Sequence, residues 1–531
     1  MISKGWTLLA TVLASGIVFL DSTVVNVALP RIGREVPSTL FAVLEGQSYV
    51  YTGYLLSLSA LLILAGALTD HHGRKRMFVL GLAGFGITSV LCGIAPNMEL
   101  LVLFRLLQGA AGALLVPGSL ALIRSTFEGE EQGRAFGVWA GASAGATIGG
   151  PFIGGMLVDT VSWRAAFLIN VPLVAIALYA TLAHVRESRD GSSSGRFDWL
   201  GALVAAIAVG GLSFGAIYGQ QREWRESLAF VALGLGALAT VAFPTLMAHR
   251  QRPLVPLELF RSRNFSVTNL STLLIYGALY VSFYYLVLFQ QGVLGYTAAA
   301  AGLAGIPSGL LLTFLSTRFG ALSDRHGPRL YMSAGPALMA LGILWFARVP
   351  ASSAPWSFAL GDPATYAPPV SFLVDFLPGQ LVFGLGLAMM VAPLTSCLMT
   401  SVPGRFAGVA SAVNNAISRV GPQLAGAVIF IAITSSFYAG MAARLPDVDT
   451  ADPRFRQGVS PLNPPKLVTG DHRFPPSVGQ RLPEIDRASR EQSTDSFHLA
   501  MLVSVALLAA GAAANALGIR DPHMSGEPPP A

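Results

Sequence analysis

The chain has 531 residues, of which 53% are hydrophobic and only 12% charged, with a mean hydropathy of +0.60 and a formal net charge of +6. A water-soluble protein of this size needs a far more charged surface, so most of this chain faces lipid. The positive balance reports membrane topology and gives no reason to expect a nucleic-acid partner.

A spanning helix needs about 20 mostly apolar residues. By that rule fourteen spans are predicted, near 8–29, 47–69, 77–95, 100–122, 135–158, 165–183, 199–218, 228–247, 266–290, 300–319, 330–348, 372–399, 406–436 and 497–519. The first apolar run, from about Trp6 to Leu29, is too long for a signal-peptide core and reads as a retained span. An even number of spans puts both termini on one side. The loops on that side hold most of the basic residues, including Lys4, Arg74, Lys75, Arg76, Arg124, Arg186, Arg250, Arg325, Arg329 and Arg520. The short loops opposite hold only Arg31, Arg34, Arg164, Arg222, Arg225 and Arg348, so both termini are expected to be cytoplasmic. Basic charge is almost all arginine, with lysine only at Lys4, Lys75 and Lys466. Together with abundant Ala and Gly, this points to a GC-rich bacterial genome and hence to a bacterial cytoplasmic (inner) membrane.

In the first span, Asp21 is the one carboxylate well inside the apolar run. An ionisable group at membrane depth is costly, which makes it a functional candidate by default. At 1.5 Å per residue it lies roughly 22 Å beyond Trp6, and Arg105 in the fourth span reaches a matching depth from the opposite side. Two readings of the pair stand: an alternating contact that exchanges protons, or a static ion pair that fixes helix packing. Burial favours the protonated acid and the guanidinium favours the carboxylate, so the balance between them decides when a proton is held.

The loop after the second span reads Gly66-Ala67-Leu68-Thr69-Asp70-His71-His72-Gly73-Arg74-Lys75. It recurs 254 residues later as Gly320-Ala321-Leu322-Ser323-Asp324-Arg325-His326-Gly327-Pro328-Arg329. A second pair of matches is offset by 271 residues: Gly133 to Val138 resembles Gly404 to Val409, and Gly150-Pro151 resembles Gly421-Pro422. A duplicated loop between apolar runs means two similar membrane halves that rock about a central site. The parse is a bundle over 1–190, a two-span insert and linker over 191–264, a second bundle over 265–520 and a tail over 521–531. Asp70, Gly73, Arg74 and Asp324 form a candidate conformational gate whose charges pair across the halves. The plainer reading is a topogenic charge cluster.

The fifth span is studded with Gly141, Gly145, Gly149, Gly150, Gly154 and Gly155, with Pro151 among them. Close helix packing and a Pro-induced bend are both open readings, and Gly150 and Pro151 are retained as gate candidates. In the ninth span Tyr276, Tyr280, Phe283 and Tyr284 share one helical face. Asn414, Asn415, Ser418 and Arg419 put a polar patch inside the thirteenth. With Asn26, Tyr54 and Gln108, the residues Tyr276, Tyr280, Tyr284, Asn414 and Asn415 are the candidate substrate cavity, although such stripes also pack against neighbouring helices. Aromatic faces suit lipophilic cations. Arg419 is a candidate partner for Asp375. The segment 438–496 contains eight prolines and balanced charge, and a long irregular external loop rather than a folded domain is expected there.

His71, His72 and His326 lack metal-ligand spacing, and Cys92 and Cys397 lie far apart inside apolar runs, so neither a metal site nor a disulfide framework is indicated. No nucleophile–base arrangement or phosphate loop is evident, which argues against an enzyme.

The chain resembles the major facilitator superfamily, and specifically its fourteen-span drug:proton antiporter branch. The resemblance rests on Gly66 to Arg76, on Leu20 to Pro30, on Arg105-Leu106-Leu107-Gln108-Gly109, on Gly145 to Gly155 and on Trp163 to Pro172. It implies an all-α, two-bundle membrane fold and a multidrug efflux permease without a cofactor, driven by the proton-motive force. It implies proton coupling at Asp21 assisted by Arg105, locking through Asp70 and Arg74, and an antiporter-type span around Pro151. The second loop copy departs from the pattern, with Pro328 in place of Arg74. The expected partners are a small-molecule substrate, protons and membrane lipid, and the expected working unit is a monomer. A dedicated exporter of a metabolite, lipid or self-made antibiotic, or a non-transporting membrane sensor, are the alternatives.

Overall fold

The computed structural model describes residues 4–40, 43–127, 129–188, 198–221, 224, 226–250, 253, 255–403, 407–463 and 482–521. The long helices are α1 (Lys4–Glu35), α2 (Val43–His72), α3 (Arg74–Gly93), α4 (Met98–Thr126), α5 (Gly129–Thr160), α6 (Ala165–His184), α7 (Trp199–Gln221) and α8 (Ser227–Ala248). They continue as α9 (Arg263–Leu294), α10 (Ala298–Ser323), α11 (Pro328–Phe346), α12 (Leu377–Thr400), α13 (Ala407–Arg444) and α14 (Leu482–Gly518). Among the described residues thirteen helices are long and apolar enough to cross a membrane. The other expected span, 47–69, lies in α2, where the side chains at 63, 67, 70 and 71 are outside the described residues.

Local signals set several helix starts. Asn97 caps α4 by accepting the amide of Leu100 at 2.9 Å, Ser262 caps α9 through the amide of Phe265, and Thr297 caps α10 through that of Ala300. The duplicated loop turns at Gly73, with φ 111°, and at Gly327, with φ 88°, a backbone region that side-chain-bearing residues rarely adopt. Each turn is held by an acid from the end of its own bundle. Glu187 accepts the amides of Lys75 and Arg76 at 3.0 and 3.1 Å, and Asp521 accepts that of Arg329 at 3.1 Å. Both carboxylates satisfy amide donors that a helix N-terminus otherwise leaves open.

Duplication governs the packing. In the first bundle α1 packs on α4, α5 and α6, α2 on α4, and α3 on α4 and α6. The second bundle repeats most of this, with α9 on α13 and α14, α10 on α12, and α11 on α12 and α14. Between bundles the main contacts are α5 with α10 and α2 with α13. The insert is asymmetric: α7 lies against both α2 and α13, whereas α8 packs chiefly on α7 and is largely exposed, as a lipid-facing helix must be.

The segment 438–496 differs from expectation. Helix α13 runs on to Arg444, α14 begins at Leu482, and a short helix spans Pro453–Gly458. Phe437, Met441, Leu445, Phe455, Val459 and Ile485 form a separate apolar cluster here. Arg444 pairs with Glu491 and Asp495, each at 3.0 Å, and Arg490 donates to the Val293 carbonyl at 2.6 Å. The result is a packed cap on the end of α9. Proline count and balanced charge hide it, because its apolar residues come from extensions of two helices whose polar faces point to water. Residues 464–481 lie outside the described residues.

Candidate functional site

The centre of the first bundle is a buried polar network. Asp21 and Arg105 are both fully buried, and Arg105 Nη1 donates to Asp21 Oδ2 at 2.5 Å. Asp21 Oδ1 also accepts from Gln108 Nε2 at 3.2 Å and from Asn170 Nδ2 at 3.0 Å. Both amides donate in addition to Ser89 Oγ, which itself donates to the Phe167 carbonyl. Arg105 Nη1 is shared with Gln108 Oε1 at 2.7 Å, and Nε reaches the Val50 carbonyl at 3.1 Å. The guanidinium carbon lies 4.2 Å from the Tyr54 ring centroid, a stacked cation–π contact. One donor, Arg105 Nη2, is buried without a hydrogen-bond partner. Five helices, α1, α2, α3, α4 and α6, thus contribute to one buried network around this pair.

Two residues assigned to the cavity belong to this network. Gln108 is fully buried and bridges the pair, and Tyr54, 1% exposed, covers the guanidinium and donates to the Val18 carbonyl. Conversely, sequence reasoning missed Ser89 and Asn170. The rule that singled out Asp21, a polar group deep in an apolar run, applies equally to Asn170 in the sixth span.

The cavity itself lies between bundles, where α2, α9 and α13 meet. Ser48, Tyr51, Thr52, Tyr280, Tyr284 and Gln423 are among its lining residues. The Tyr51 and Tyr284 rings stack across the bundles at 5.2 Å, and Tyr276 lies 6.2 Å from Tyr280 on the same helix. Of the tyrosines expected here, Tyr280 and Tyr284 line the cavity and Tyr276 sits beside them. Asn414 instead donates to Asn269 and Thr272 at 3.1 and 3.0 Å, a cross-link inside the second bundle. Asn415 is exposed and turns back to Ser411 on its own helix. Asn26 is half-buried, its Oδ1 without a partner. The structure does not bring Arg419 to Asp375: that carboxylate accepts from Ser353 Oγ at 2.8 Å, near the far end of the bundle. Sequence spacing placed Arg419 inside its span but gave no direction for its side chain.

The bundles close together at the face opposite the termini. Asp159 on α5 accepts the amides of Ala298 and Ala299, at 3.3 and 2.8 Å, at the start of α10. Gln291 donates to the Val27 carbonyl at 3.1 Å. Gly150 and Gly154 lie against Thr23 and Val24 of α1, where an added Cβ would meet atoms at 2.2 and 2.8 Å. Pro151 touches Gly302 of α10, and Gly155 sits against the backbone of Ala298 and Ala299. Nearer the terminal face of the same helix, an added Cβ at Gly141 or Gly145 meets nothing within 4 Å. Gly150, Gly154 and Gly155 are therefore closely packed, whereas Gly141 and Gly145 are not. Gly155→Val, whose Cβ would lie 2.4 Å from the Ala298 carbonyl oxygen, is expected to prevent this closure. The check is thiol labelling of a cysteine placed in the seam at the opposite face, with transport measured in parallel. Labelling should rise and transport should fall at least tenfold; unchanged labelling would remove the seam as a gate.

For the gate loop, the described contacts run within the first bundle: Arg74 N donates to the Ser188 carbonyl at 3.0 Å, and Arg76 Nε lies 3.8 Å from Glu187. The side chains of Asp70 and Asp324 lie outside the described residues.

The family model described as Major Facilitator Superfamily matches residues 11–426 of the chain. Multidrug resistance protein Stp of Mycobacterium tuberculosis is 31% identical over 520 residues, covering 95% of this chain and 90% of that protein. Puromycin resistance protein pur8 of Streptomyces alboniger is 32% identical, covering 83% and 84% of the two chains. Among solved structures, a bacterial homolog of the human lysosomal transporter Spinster in an inward-facing, unoccupied conformation superposes with TM-score 0.63 at 16% identity. That match covers 98% of this chain and 99% of the other, and it speaks to fold alone.

Proposed function

The chain belongs to the major facilitator superfamily, and from that premise we propose that it is a proton-coupled exporter of amphipathic small molecules, antibiotics among them. It is a multi-pass membrane transporter; the proposal concerns its coupling ion, direction and cargo. The bundles over 1–190 and 265–520 rock about the cavity, while 191–264 supplies the insert and linker. The chain lies in a bacterial inner membrane with both termini cytoplasmic, so the closed seam faces outward and the described conformation opens inward.

The observation that carries the reading is the buried Asp21–Arg105 pair and its position. One stretch of α2 separates it from the cavity: the Val50 carbonyl and the Tyr54 ring hold Arg105, while Tyr51 beside them lines the cavity. A substrate that displaces Tyr51 pulls on the wall that positions the guanidinium. When Arg105 withdraws, an unpaired buried carboxylate takes a proton; when it returns, the proton leaves. Access to opposite faces at these two moments makes the exchange vectorial. One charge crossing about 150 mV yields roughly 3.5 kcal/mol, enough to sustain a gradient of several hundredfold.

The test uses purified protein in liposomes with an internal pH dye, challenged with lipophilic cations, neutral antibiotics and amphipathic acids under an imposed proton gradient. Substrate-dependent dissipation by several unrelated compounds is the expected result. Response to a single compound narrows the cargo to a dedicated product, and no response to any defeats the exporter reading.

A further inference from the structure

Arg419 is a guanidinium well inside a spanning helix that the mechanism above does not use. It lies twelve residues into α13, roughly 18 Å from Ala407 and thus near the middle of a ~30 Å hydrocarbon core. That depth is beyond the reach of snorkelling, which works near helix ends. Among the described residues no carboxylate comes within 4 Å of it, and its side chain makes no hydrogen bond there. Arg105, at comparable depth, has Asp21, Gln108, Val50 and Tyr54 around it.

Arg419 precedes the cavity-lining residues Pro422, Gln423 and Gly426 on the same stretch of α13. Arg419 is half-buried and close enough to Tyr51, Tyr54 and Tyr276 for its charge to act on their hydroxyls. One turn further along the same face is Gln423, a cavity-lining side chain 2% exposed whose Nε2 and Oε1 are both without hydrogen-bond partners. An open Nε2 donor on a buried amide and an open half-buried cation, one turn apart, suit a group that accepts hydrogen bonds and carries negative charge. Asp21 is neutralised by Arg105, so that pair adds no net charge beside the cavity.

We propose that the exported compound presents a carboxylate or comparably acidic group to Arg419, with its apolar body among Tyr51, Tyr280 and Tyr284. This deepens the exporter reading and rests on it; it reverses the cation expected from the tyrosine stripe alone. Exchange of a proton inward for an anion outward moves positive charge inward twice, so export responds to membrane potential more steeply than cation exchange does.

The experiment is isothermal titration of the purified full-length protein with three matched probes: 2-naphthoate, neutral 2-naphthamide and 2-naphthylmethylammonium. A charge-assisted contact should make the acid bind about tenfold or more tighter than the amide. Arg419→Gln should shrink that preference to about twofold, chiefly by weakening the acid, and Arg419→Lys should keep part of it. Equal affinity for all three, a preference for the ammonium, or a preference surviving in Arg419→Gln each overturns the proposal. Binding needs no gradient, so a protein that prefers the acid but moves no protons upholds this inference and defeats the transport mechanism instead.

Discussion

Asp21→Asn is expected to reduce proton-driven export to background while leaving folded protein in the membrane. The substitution keeps the shape and removes the buried carboxylate that the proposed mechanism protonates and deprotonates. Its cost to folding is limited by its surroundings. The new carbonyl still accepts from Arg105, and the Asn170 amide can flip to offer its Oδ1, now buried and unpartnered, to the new donor. Gln108 Nε2 is then left facing a second donor, a loss on the order of 1–3 kcal/mol. Coupling has no comparable remedy, because Asn carries no proton over the physiological range. Downhill exchange of substrate across the membrane should survive, since rocking no longer waits on protonation. In proteoliposomes the variant should therefore show substrate counterflow near the wild-type rate and no acid-driven accumulation. The static ion-pair reading predicts the reverse, a less stable protein with coupling intact. Accumulation at the wild-type level would remove Asp21 from the mechanism.

The two outcomes also measure how far the sequence could be read. Apolar run length gave the helices, and the repeated Gly-bearing loop gave the duplication now visible as repeated helix pairings. The Asp21–Arg105 contact was legible because rise per residue fixes depth, and both charges fall at the same depth on helices that start from opposite faces. What depth does not give is rotation about the helix axis. That is why Gln108 and Tyr54 were placed with the cavity although they serve the pair, and why Arg419 was matched to Asp375. Gln108 is three residues beyond Arg105 and so shares its face, a signal that was present and outweighed by the expectation of a polar cavity. The cap at 438–496 was hidden for a different reason. Its apolar residues are spread over two helix ends and a short third helix, so no window of sequence contains the cluster.

The Arg105 side chain offers the sharpest separation between a charge that stabilises and a charge that works. Arg105→Met is expected to abolish export and to destabilise the protein by about 3–5 kcal/mol, because it leaves a fully buried carboxylate with only amide donors. The Val50 carbonyl also loses its donor, and the Tyr54 ring loses the cation it covers. Most of the penalty belongs to the carboxylate left behind, which must stay charged or take up a proton to remain buried, rather than to the missing attraction. Adding Asp21→Asn to Arg105→Met removes that charge, so the double variant should be more stable than Arg105→Met alone by at least about 1 kcal/mol, a coupling typical of residues in direct contact. Export should stay at background in both. Chemical unfolding in detergent micelles gives the stability order, and the liposome pH assay gives the activity. If the double variant unfolds no later than Arg105→Met, Asp21 is not held as a charged partner. If Arg105→Met exports at the wild-type rate, the pair is neither a brake on the proton nor its trigger, and coupling lies elsewhere in the chain.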